Sequence, residues 1–259
     1  MKVDVQKGSI WKRISAFMFD GIMLSIVIMG LATLMSWILK YDDRMAAFNE
    51  IKESVAAQYG ISFDTSQEEY QEFDAEKKAR FDEAYEALNA NREAVKLYSQ
   101  LNVFAILIIS LPMFLAFLIL EFIIPLIFKD GRTLGKKIFG LCVIRPNCVK
   151  ISGPVLFIRS IIGKCVIELQ IPATIIIMFL FGKGNIFLAI LFFAILLVNL
   201  ILFFATKKHT VLHDLLSVTV VADYASQRIF ETEDELIEFK KKQHEEEVQR
   251  LREPEYSHI

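Results

Sequence analysis

The sequence has few cysteines and lacks the cysteine pattern of a zinc site. Only three occur among its 259 residues, Cys142, Cys148 and Cys165. They lie in or beside one basic stretch, with no histidine and no second cysteine pair nearby at zinc spacing. We predict structural roles for all three, consistent with a reducing cytoplasmic side.

The sequence also lacks the residue patterns of a soluble enzyme. No nucleophile, base and orienting group occur at a recognisable spacing, so we expect no enzymatic activity. The stretch from Gly131 to Lys137 has two glycines separated by three residues, whereas a phosphate-binding loop needs four. Lys137 also stands where that loop needs Ser or Thr. We therefore expect no nucleotide and no other cofactor.

Two histidines have the minimal spacing of a metal site but no further ligands. His209 and His213 are four residues apart, and Asp214 follows directly. A third and a fourth ligand are not evident nearby, and the general base of a zinc protease helix is missing. We interpret these residues as polar groups at the cytoplasmic end of a membrane span and predict no metal.

Hydrophobic residues are abundant and clumped. They make up 54% of the chain, including 22 Phe, and separate segments that are dense in charge. Four apolar segments are each long enough to cross a bilayer, which takes roughly 20 residues. They cover residues 14–39, 101–128, 161–181 and 185–205.

Two of these segments need comment. The first follows Lys12 and Arg13 like a signal peptide, but its apolar stretch is too long and lacks a small-residue cleavage site, so we predict an uncleaved anchor. The third contains Lys164 and Glu168 in its first turns. We expect it to enter the bilayer at a slant or to begin at the interface.

The distribution of Lys and Arg predicts the orientation. Basic residues are concentrated in segments 1–13 and 129–160 and after the fourth span, at Lys207 and Lys208. These regions fall on one side if the spans alternate, and the cytoplasmic side carries such an excess. Both termini are then cytoplasmic, including segment 206–222 and the charged tail 223–259, for which we predict a solvated helix or partial disorder.

The connection 40–100 is then extracytoplasmic, and its composition predicts a helical hairpin. The first helix stops at Gly60, a plausible residue after a helix end. Ser66 and Glu69 fit a capping box at the start of the second helix, which we expect to continue unbroken into the second span. Apolar residues recur at helical spacing in that helix, and we interpret them as packing within the hairpin.

The segment 129–160 is basic and amphipathic. It suits an element lying against anionic lipid, with headgroup contacts from Arg132, Lys136 and Lys137. A small β-hairpin around the turn at residues 145–147 is an alternative. Nucleic acid is an unattractive partner for this patch, because the membrane surface competes for the same face.

Ionisable residues within the spans are the best functional candidates. A charge at bilayer depth costs on the order of 2.5–3.5 kcal/mol on insertion scales, so it normally pairs, faces the bundle interior or serves an ion path. Asp20, Glu121 and Glu168 are candidates for an ion or proton pathway. Interhelical ion pairs that fix the packing are the alternative, with Arg159 and Lys164 as partners.

Arg13 and Asp20 share a helix face but cannot pair with each other. Seven residues separate them, which is about 10 Å along a helix axis. Each therefore needs a partner elsewhere. We expect that partner to be Lys164, Arg159 or Asp214.

Three blocks of residues stand at definite places relative to the spans. The blocks consist of Arg13, Ala16 and Asp20; then Gly131, Arg132, Thr133, Gly135, Lys136, Gly140, Leu141 and Val143, followed by Arg159; then Leu212, His213 and Asp214, with Thr219. In their order and placement they resemble the RDD family of membrane proteins, and the resemblance extends over residues 11–222 apart from the extracytoplasmic hairpin.

The family is named for an Arg and two Asp, which match Arg13, Asp20 and Asp214 here. Val218 departs from the family pattern, because a small residue such as Gly is usual there. The hairpin is also longer than the family's usual connection. The resemblance implies a role in transport, with sodium or another cation exchanged for protons in some members, or a role as a membrane adaptor.

The sequence thus predicts an all-α, multi-pass transmembrane bundle of about four spans with both termini inside, in a bacterial cytoplasmic membrane. The expected function is transport, and a non-enzymatic scaffold that recruits partners through the hairpin and the C-terminal helix is the alternative. Expected partners are the bilayer with its anionic headgroups, a monovalent cation or proton, and a second copy or another membrane protein.

Overall fold

The computed structural model describes residues 4–181, 186–206 and 209–256. It is 76% helical, and the predicted all-α helical bundle is confirmed. Among the described residues, three helices are long and apolar enough to cross a membrane, and a bent pair adds a fourth if it is one span. The basic residues Lys207 and Lys208, used above for orientation, lie outside the described residues.

The chain divides into two compact units. The first holds both ends of the chain and the middle, and the second holds the hairpin with its flanking helices. The first unit is Met1–Ile26, Phe114–Thr174 and Gly184–Ile259; the second is Val27–Met113 and Ile175–Lys183.

The first long helix, α1, spans Ile10–Leu39 and begins four residues before the predicted span. Its 30 residues correspond to about 45 Å, enough for the hydrocarbon core and the headgroup regions. It ends where Lys40 adopts a left-handed conformation with φ 50°. The next helix, α2 (Tyr41–Tyr59), starts directly after this residue.

The hairpin helices are shorter than predicted. The capping box of Ser66 and Glu69 is confirmed, and it starts α3, Gln67–Glu72. The expected unbroken second helix is wrong, because the side chain of Asp74 caps a new helix, α4 (Ala75–Ala90), and another break follows at Asn91. Gly60 ends α2 in the left-handed conformation, as predicted.

Aromatic side chains form the interior of the hairpin. Phe81 lies at the centre, with ring centroids 5.1–6.4 Å from those of three other aromatic residues. Aromatic pairs at such distances stabilise beyond the area they bury. The three are Phe63, Tyr70 and Phe73.

The second long helical segment runs from Arg92 to Phe128, so it starts nine residues before the predicted span. It consists of α5 (Arg92–Phe117), a first π-helix (Leu118–Ile123) and α6 (Ile124–Phe128). A π-helix widens the turn locally and is frequent at functional sites. This one contains Glu121.

The predicted span 161–181 begins earlier and is bent. It comprises α8 (Gly153–Phe157), a second π-helix (Ile158–Glu168) and α9 (Ile171–Phe181), with a bend of 42° before α9. Pro172 favours the break, because a proline ring clashes with the carbonyl four residues earlier and removes a helical hydrogen bond. Gln170 at the bend has φ 51°.

The fourth apolar helix, α10, covers Ile186–Ala205 and is apolar except for Asn199. Its predicted first residue, Asn185, lies outside the described residues. The side-chain amide oxygen of Asn199 accepts a hydrogen bond from the backbone N–H of Leu212 at 2.8 Å, which holds the start of α11 (Leu212–Leu216) against this helix.

A two-stranded antiparallel sheet adds to the helices. Strand β1 (Leu141–Ile144) follows a short helix, α7 (Leu134–Ile138), and pairs with β2 (Val220–Asp223). The alternative of a small β-hairpin around residues 145–147 is present in part, as one antiparallel bridge between Ile144 and Lys150. The main partner of β1 comes from the distant motif after α10.

The last helix, α12 (Glu233–Tyr256), is only partly solvated. Leu236 is buried beside Phe230 in an apolar core that also contains residues of both strands. Phe239 packs against the same core. The first turns of the predicted solvated tail are thus anchored to the sheet.

Candidate functional site

Asp20 is held by the loop that precedes α7. Its carboxylate accepts a hydrogen bond from the hydroxyl of Thr133 at 2.5 Å and another from the backbone N–H of Gly135 at 2.7 Å. The ammonium group of Lys136 lies 3.9 Å from the same carboxylate. These contacts join the first apolar helix to residues more than 110 positions later.

The loop can approach α1 this closely because residue 135 is glycine. A Cβ atom there would lie 2.3 Å from the carbonyl oxygen of Ala16 and 2.9 Å from the carboxylate carbon of Asp20. Real Cβ atoms do not tolerate such distances from backbone atoms. A glycine is therefore required at residue 135, because a larger residue would clash with the backbone of α1.

Glu121 forms an ion pair with Lys164, whose ammonium nitrogen lies 2.5 Å from the carboxylate. The two side chains come from the two π-helices. Both are largely buried, with 14% of each side chain exposed. A small pocket separates Asp20 from this pair and has an otherwise apolar lining. It is lined by Asp20, Met23, Leu24, Leu120, Glu121 and Leu134.

Asp214 lies in the most buried ion pair of the site. Its carboxylate accepts hydrogen bonds from the guanidinium of Arg159 at 2.7 and 2.9 Å, and 3% or less of each side chain is exposed. The hydroxyl of Thr219 adds a third bond at 3.2 Å. Burial alone would raise the pKa of Asp214, but Arg159, and then His213, hold it below its usual range.

Among the residues that the structure describes, Arg13 bonds to backbone carbonyls and not to a carboxylate. Its guanidinium donates to the carbonyl oxygen of His209 at 2.9 Å and to that of Val221. These carbonyls lie before and after α11, so Arg13 fixes both ends of the segment that carries Asp214. An arginine suits this task because it presents several donors in one rigid plane.

His213 connects Glu168 to the buried ion pair. Its ring Nδ1 lies 3.0 Å from both carboxylate oxygens of Glu168, and its backbone N–H donates to the same carboxylate at 2.9 Å. Its Nε2 lies 3.2 Å from the guanidinium of Arg159 and 3.7 Å from Asp214.

The partners expected from the sequence for Arg13 and Asp20 are wrong. Arg159 and Lys164 do form ion pairs, but with Asp214 and Glu121. In the structure the loop before α7 lies against Asp20 instead and supplies neutral donors. Of the three pathway candidates, Asp20 and Glu121 line one pocket, whereas Glu168 contacts His213.

The residues predicted to contact lipid headgroups differ in their contacts and in their exposure. Arg132 pairs with Asp130 at 2.5 Å and stacks on Tyr224, and only 13% of the side chain of Lys136 is exposed. Burial, and then Lys164, lower the pKa of Lys136 to about 8. Lys137 alone of the three is exposed. Two of these basic side chains thus serve internal contacts.

Several residues of the site were not selected by the search for charge within the spans. Thr133, Gly135, His213 and Thr219 supply contacts to the charged residues, but three of them are neutral by type and His213 was considered only as a metal ligand. The signal that could have found them is their place in the RDD-like blocks. Val218, where the blocks favour a small residue, has φ 52°, a conformation that suits glycine.

Among the described residues, no group of three or more His, Cys, Asp or Glu side chains is arranged to hold a metal ion. The charged residues instead pair with one another and with hydroxyl and backbone donors. The arrangement offers buried carboxylates that can be neutralised by a proton, by an ammonium group or by a small cation.

Comparison with known proteins gives one match. No curated protein and no solved structure matches the chain. The family model described as the RDD family matches residues 7–218, which include Arg13, Asp20 and Asp214 and most of the three blocks. Because this match covers well over half of the sequence, the chain belongs to the RDD family of membrane proteins.

Proposed function

We propose that this protein transports a monovalent cation in exchange for protons, and that the pocket between Asp20 and Glu121 is its binding site. The observation that carries the proposal is the pairing of two carboxylates, from two different apolar helical segments, around one small pocket. Burying carboxylates in such segments is costly, and ion pathways are a common reason to retain them.

The charges around the pocket suit exchange. Lys164 pairs with Glu121 at 2.5 Å, whereas the Lys136 ammonium nitrogen lies 3.9 Å from the Asp20 carboxylate, near the outer limit of an ion pair. The closer partners of Asp20 are a hydroxyl and a backbone N–H, which are neutral donors. A proton or a small cation can therefore compensate Asp20 in turn.

The first π-helix supports the same assignment. It places Glu121 on a widened turn of an otherwise regular helical segment. Such turns cost stability and are frequent at functional sites. The other four residues that line the pocket are apolar and offer no further polar side chain to the two carboxylates.

Everted membrane vesicles test the proposal. Vesicles with the wild-type protein should show proton movement when sodium, lithium or potassium is added, and Asp20→Asn and Glu121→Gln should each abolish it. Asp43→Asn is the matched control, because Asp43 is exposed on α2. Detergent-solubilised variants should remain monodisperse, so that loss of exchange is not loss of folding.

Absence of cation-dependent proton movement with the wild type, or unchanged movement with both pocket variants, contradicts the proposal. An additional Asp20→Glu variant retains the charge and should keep part of the exchange. If the Asp20→Glu variant folds but does not exchange cations, the distances from the carboxylate to the Thr133 hydroxyl and the Gly135 N–H are critical.

A scaffold is a second candidate, and the hairpin favours it. Residues 40–90 form helices that pack on their own aromatic interior and contribute nothing to the pocket lining. A folded element of this kind suits the recruitment of a protein partner. Deleting residues 42–95 and crosslinking the protein to its partners in the native membrane separates the two roles. If cation exchange is retained and the crosslinks are lost, the hairpin is a docking element. Unchanged crosslinks contradict the scaffold role.

A further inference from the structure

The contact between His213 and Arg159 fixes the protonation of the imidazole. A guanidinium group can only donate hydrogen bonds. Nε2 of His213, 3.2 Å from the Arg159 guanidinium, must therefore accept and carries no proton. The proton of the neutral ring then lies on Nδ1, which donates to Glu168 at 3.0 Å.

The environment of His213 is closely balanced in charge. The second π-helix presents Arg159, Lys164 and Glu168, and Asp214 is the neighbour within α11. The helix α10, which also packs against α11, contributes no ionisable side chain among the described residues. Two cations thus oppose two carboxylates around the ring. The affinity of the imidazole for a second proton therefore depends on its local hydrogen bonds and its burial.

A second proton would change the hydrogen bonds of the whole cluster. Protonated Nε2 becomes a donor and can no longer accept from Arg159. The nearest acceptor is the carboxylate of Asp214, 3.7 Å away, which already holds Arg159 and Thr219. The imidazolium and the guanidinium would therefore compete for one carboxylate.

We propose that His213 is a proton-binding site that switches the Arg159–Asp214 ion pair, and with it the segment from His209 to Val221. The inference is separate from the proposed transport, because it concerns a different cluster from the Asp20–Glu121 pocket. Neutral His213 holds α11 against the second π-helix. Protonated His213 draws Asp214 away from Arg159 and loosens that contact.

The close packing at Gly163 transmits the change. A Cβ atom at residue 163 would lie 2.7 Å from Cβ and 3.0 Å from Cα of His213, so the backbone of α11 contacts the π-helix directly. Arg13 then ties both flanks of α11 to α1 through the carbonyls of His209 and Val221. A shift of α11 cannot remain local to the ring.

The direction with pH follows from burial. Burial lowers the pKa of His213 in the folded protein, with Asp214 partly opposing it. A group whose pKa is lower in the folded than in the unfolded protein contributes stability at a pH above its unfolded pKa. This stability is lost as the pH falls through its folded pKa. Acidification below the ordinary pKa of histidine should therefore loosen α11.

Histidine-selective nitrogen NMR on the full-length protein in nanodiscs tests the proton assignment without any substitution. At about pH 7.5 the His213 signal should show a protonated Nδ1 and an unprotonated Nε2, and its titration should lie below about 6.5. The opposite tautomer, or a titration above that value, overturns the inference.

Hydrogen exchange and thermal unfolding test the switch. Between about pH 7.5 and 5.5, exchange of residues 209–223 should accelerate, corrected for its intrinsic pH dependence, and Tm should fall by roughly 3 °C. His213→Asn should flatten both responses. His209→Asn is the control, because Nδ1 of His209 bonds to the carbonyl of Phe203 and to no carboxylate in the described part of the chain. Equal pH responses in wild type and His213→Asn overturn the switch, whatever the vesicle experiments show.

Discussion

The most buried ion pair of the first unit and an ion pair of the second unit place their charges in opposite environments. In the first unit, Arg159 and Asp214 meet across 55 residues of sequence with almost no exposed side-chain surface. In the second, Lys52 pairs with Asp64, twelve residues away, and 85% of the Asp64 side chain is exposed. Removing one member of a buried ion pair strongly destabilises the folded protein, whereas an exposed ion pair contributes little to its stability.

The largest effect should come from removing one member of the buried pair. Arg159→Met leaves the Asp214 carboxylate buried without its cation, which costs about 3–5 kcal/mol. Thermal or denaturant unfolding in detergent measures it. The double variant Arg159→Met with Asp214→Leu should recover part of the loss, since no charge then remains unpaired. A wild-type-like single variant would show that water reaches Asp214.

A smaller effect is expected at the contact that holds Asp20. Gly135→Ala forces the loop before α7 away from Ala16 and should cost about 1–3 kcal/mol, as overpacking does. Gly21→Ala is the matched control, because a Cβ atom there meets nothing within 4 Å. Alanine also favours a helix interior relative to glycine. Equal stability of the two variants would contradict the required glycine at residue 135.

A gain in stability is expected at Val218. A β-branched residue in the left-handed conformation is strained, so Val218→Gly should stabilise the protein by about 1 kcal/mol. Val211→Gly is the control, since Val211 has an ordinary φ of −115° and should only lose stability. The measurement is the difference in unfolding midpoint, and a destabilised Val218→Gly variant would contradict the strain.

The smallest effect is expected in the second unit. Lys52→Gln breaks the exposed pair with Asp64 and should change stability by no more than about 1 kcal/mol. The change should shrink further in high salt, because exposed charges are screened. A loss as large as that of Arg159→Met would remove the contrast between the units.

Local features were the most predictable parts of the fold. The capping box at Ser66, the helix end at Gly60 and three of the four apolar segments depend on neighbouring residues and were predicted correctly. The third apolar segment adds a fourth span if its bent pair of helices crosses as one. Element boundaries were less accurate. The breaks at Asp74 and Asn91 were missed because Asp and Asn are compatible with a helix interior and become caps only when the chain turns there.

The site was predictable in its members more than in its contacts. Asp20, Glu121, Glu168, Arg159, Lys164 and Asp214 were selected by their charge and position. Their pairing was not, because the partners come from segments separated by many residues and several compete for each carboxylate. Thr133 and the backbone N–H of Gly135 donate the hydrogen bonds to Asp20. No property of either residue by itself predicts these contacts.

The sequence by itself determined that the chain is a membrane protein of the RDD family, because hydrophobic length and the three blocks are properties of the residues in order. Only the tertiary structure decided which charge meets which, since that depends on the approach of distant segments. Contacts at Gly135 and Gly163 set that approach, and the 42° bend before α9 gives the third apolar segment its shape. Burial then makes each pairing strong, because little water remains to compete for the buried charges.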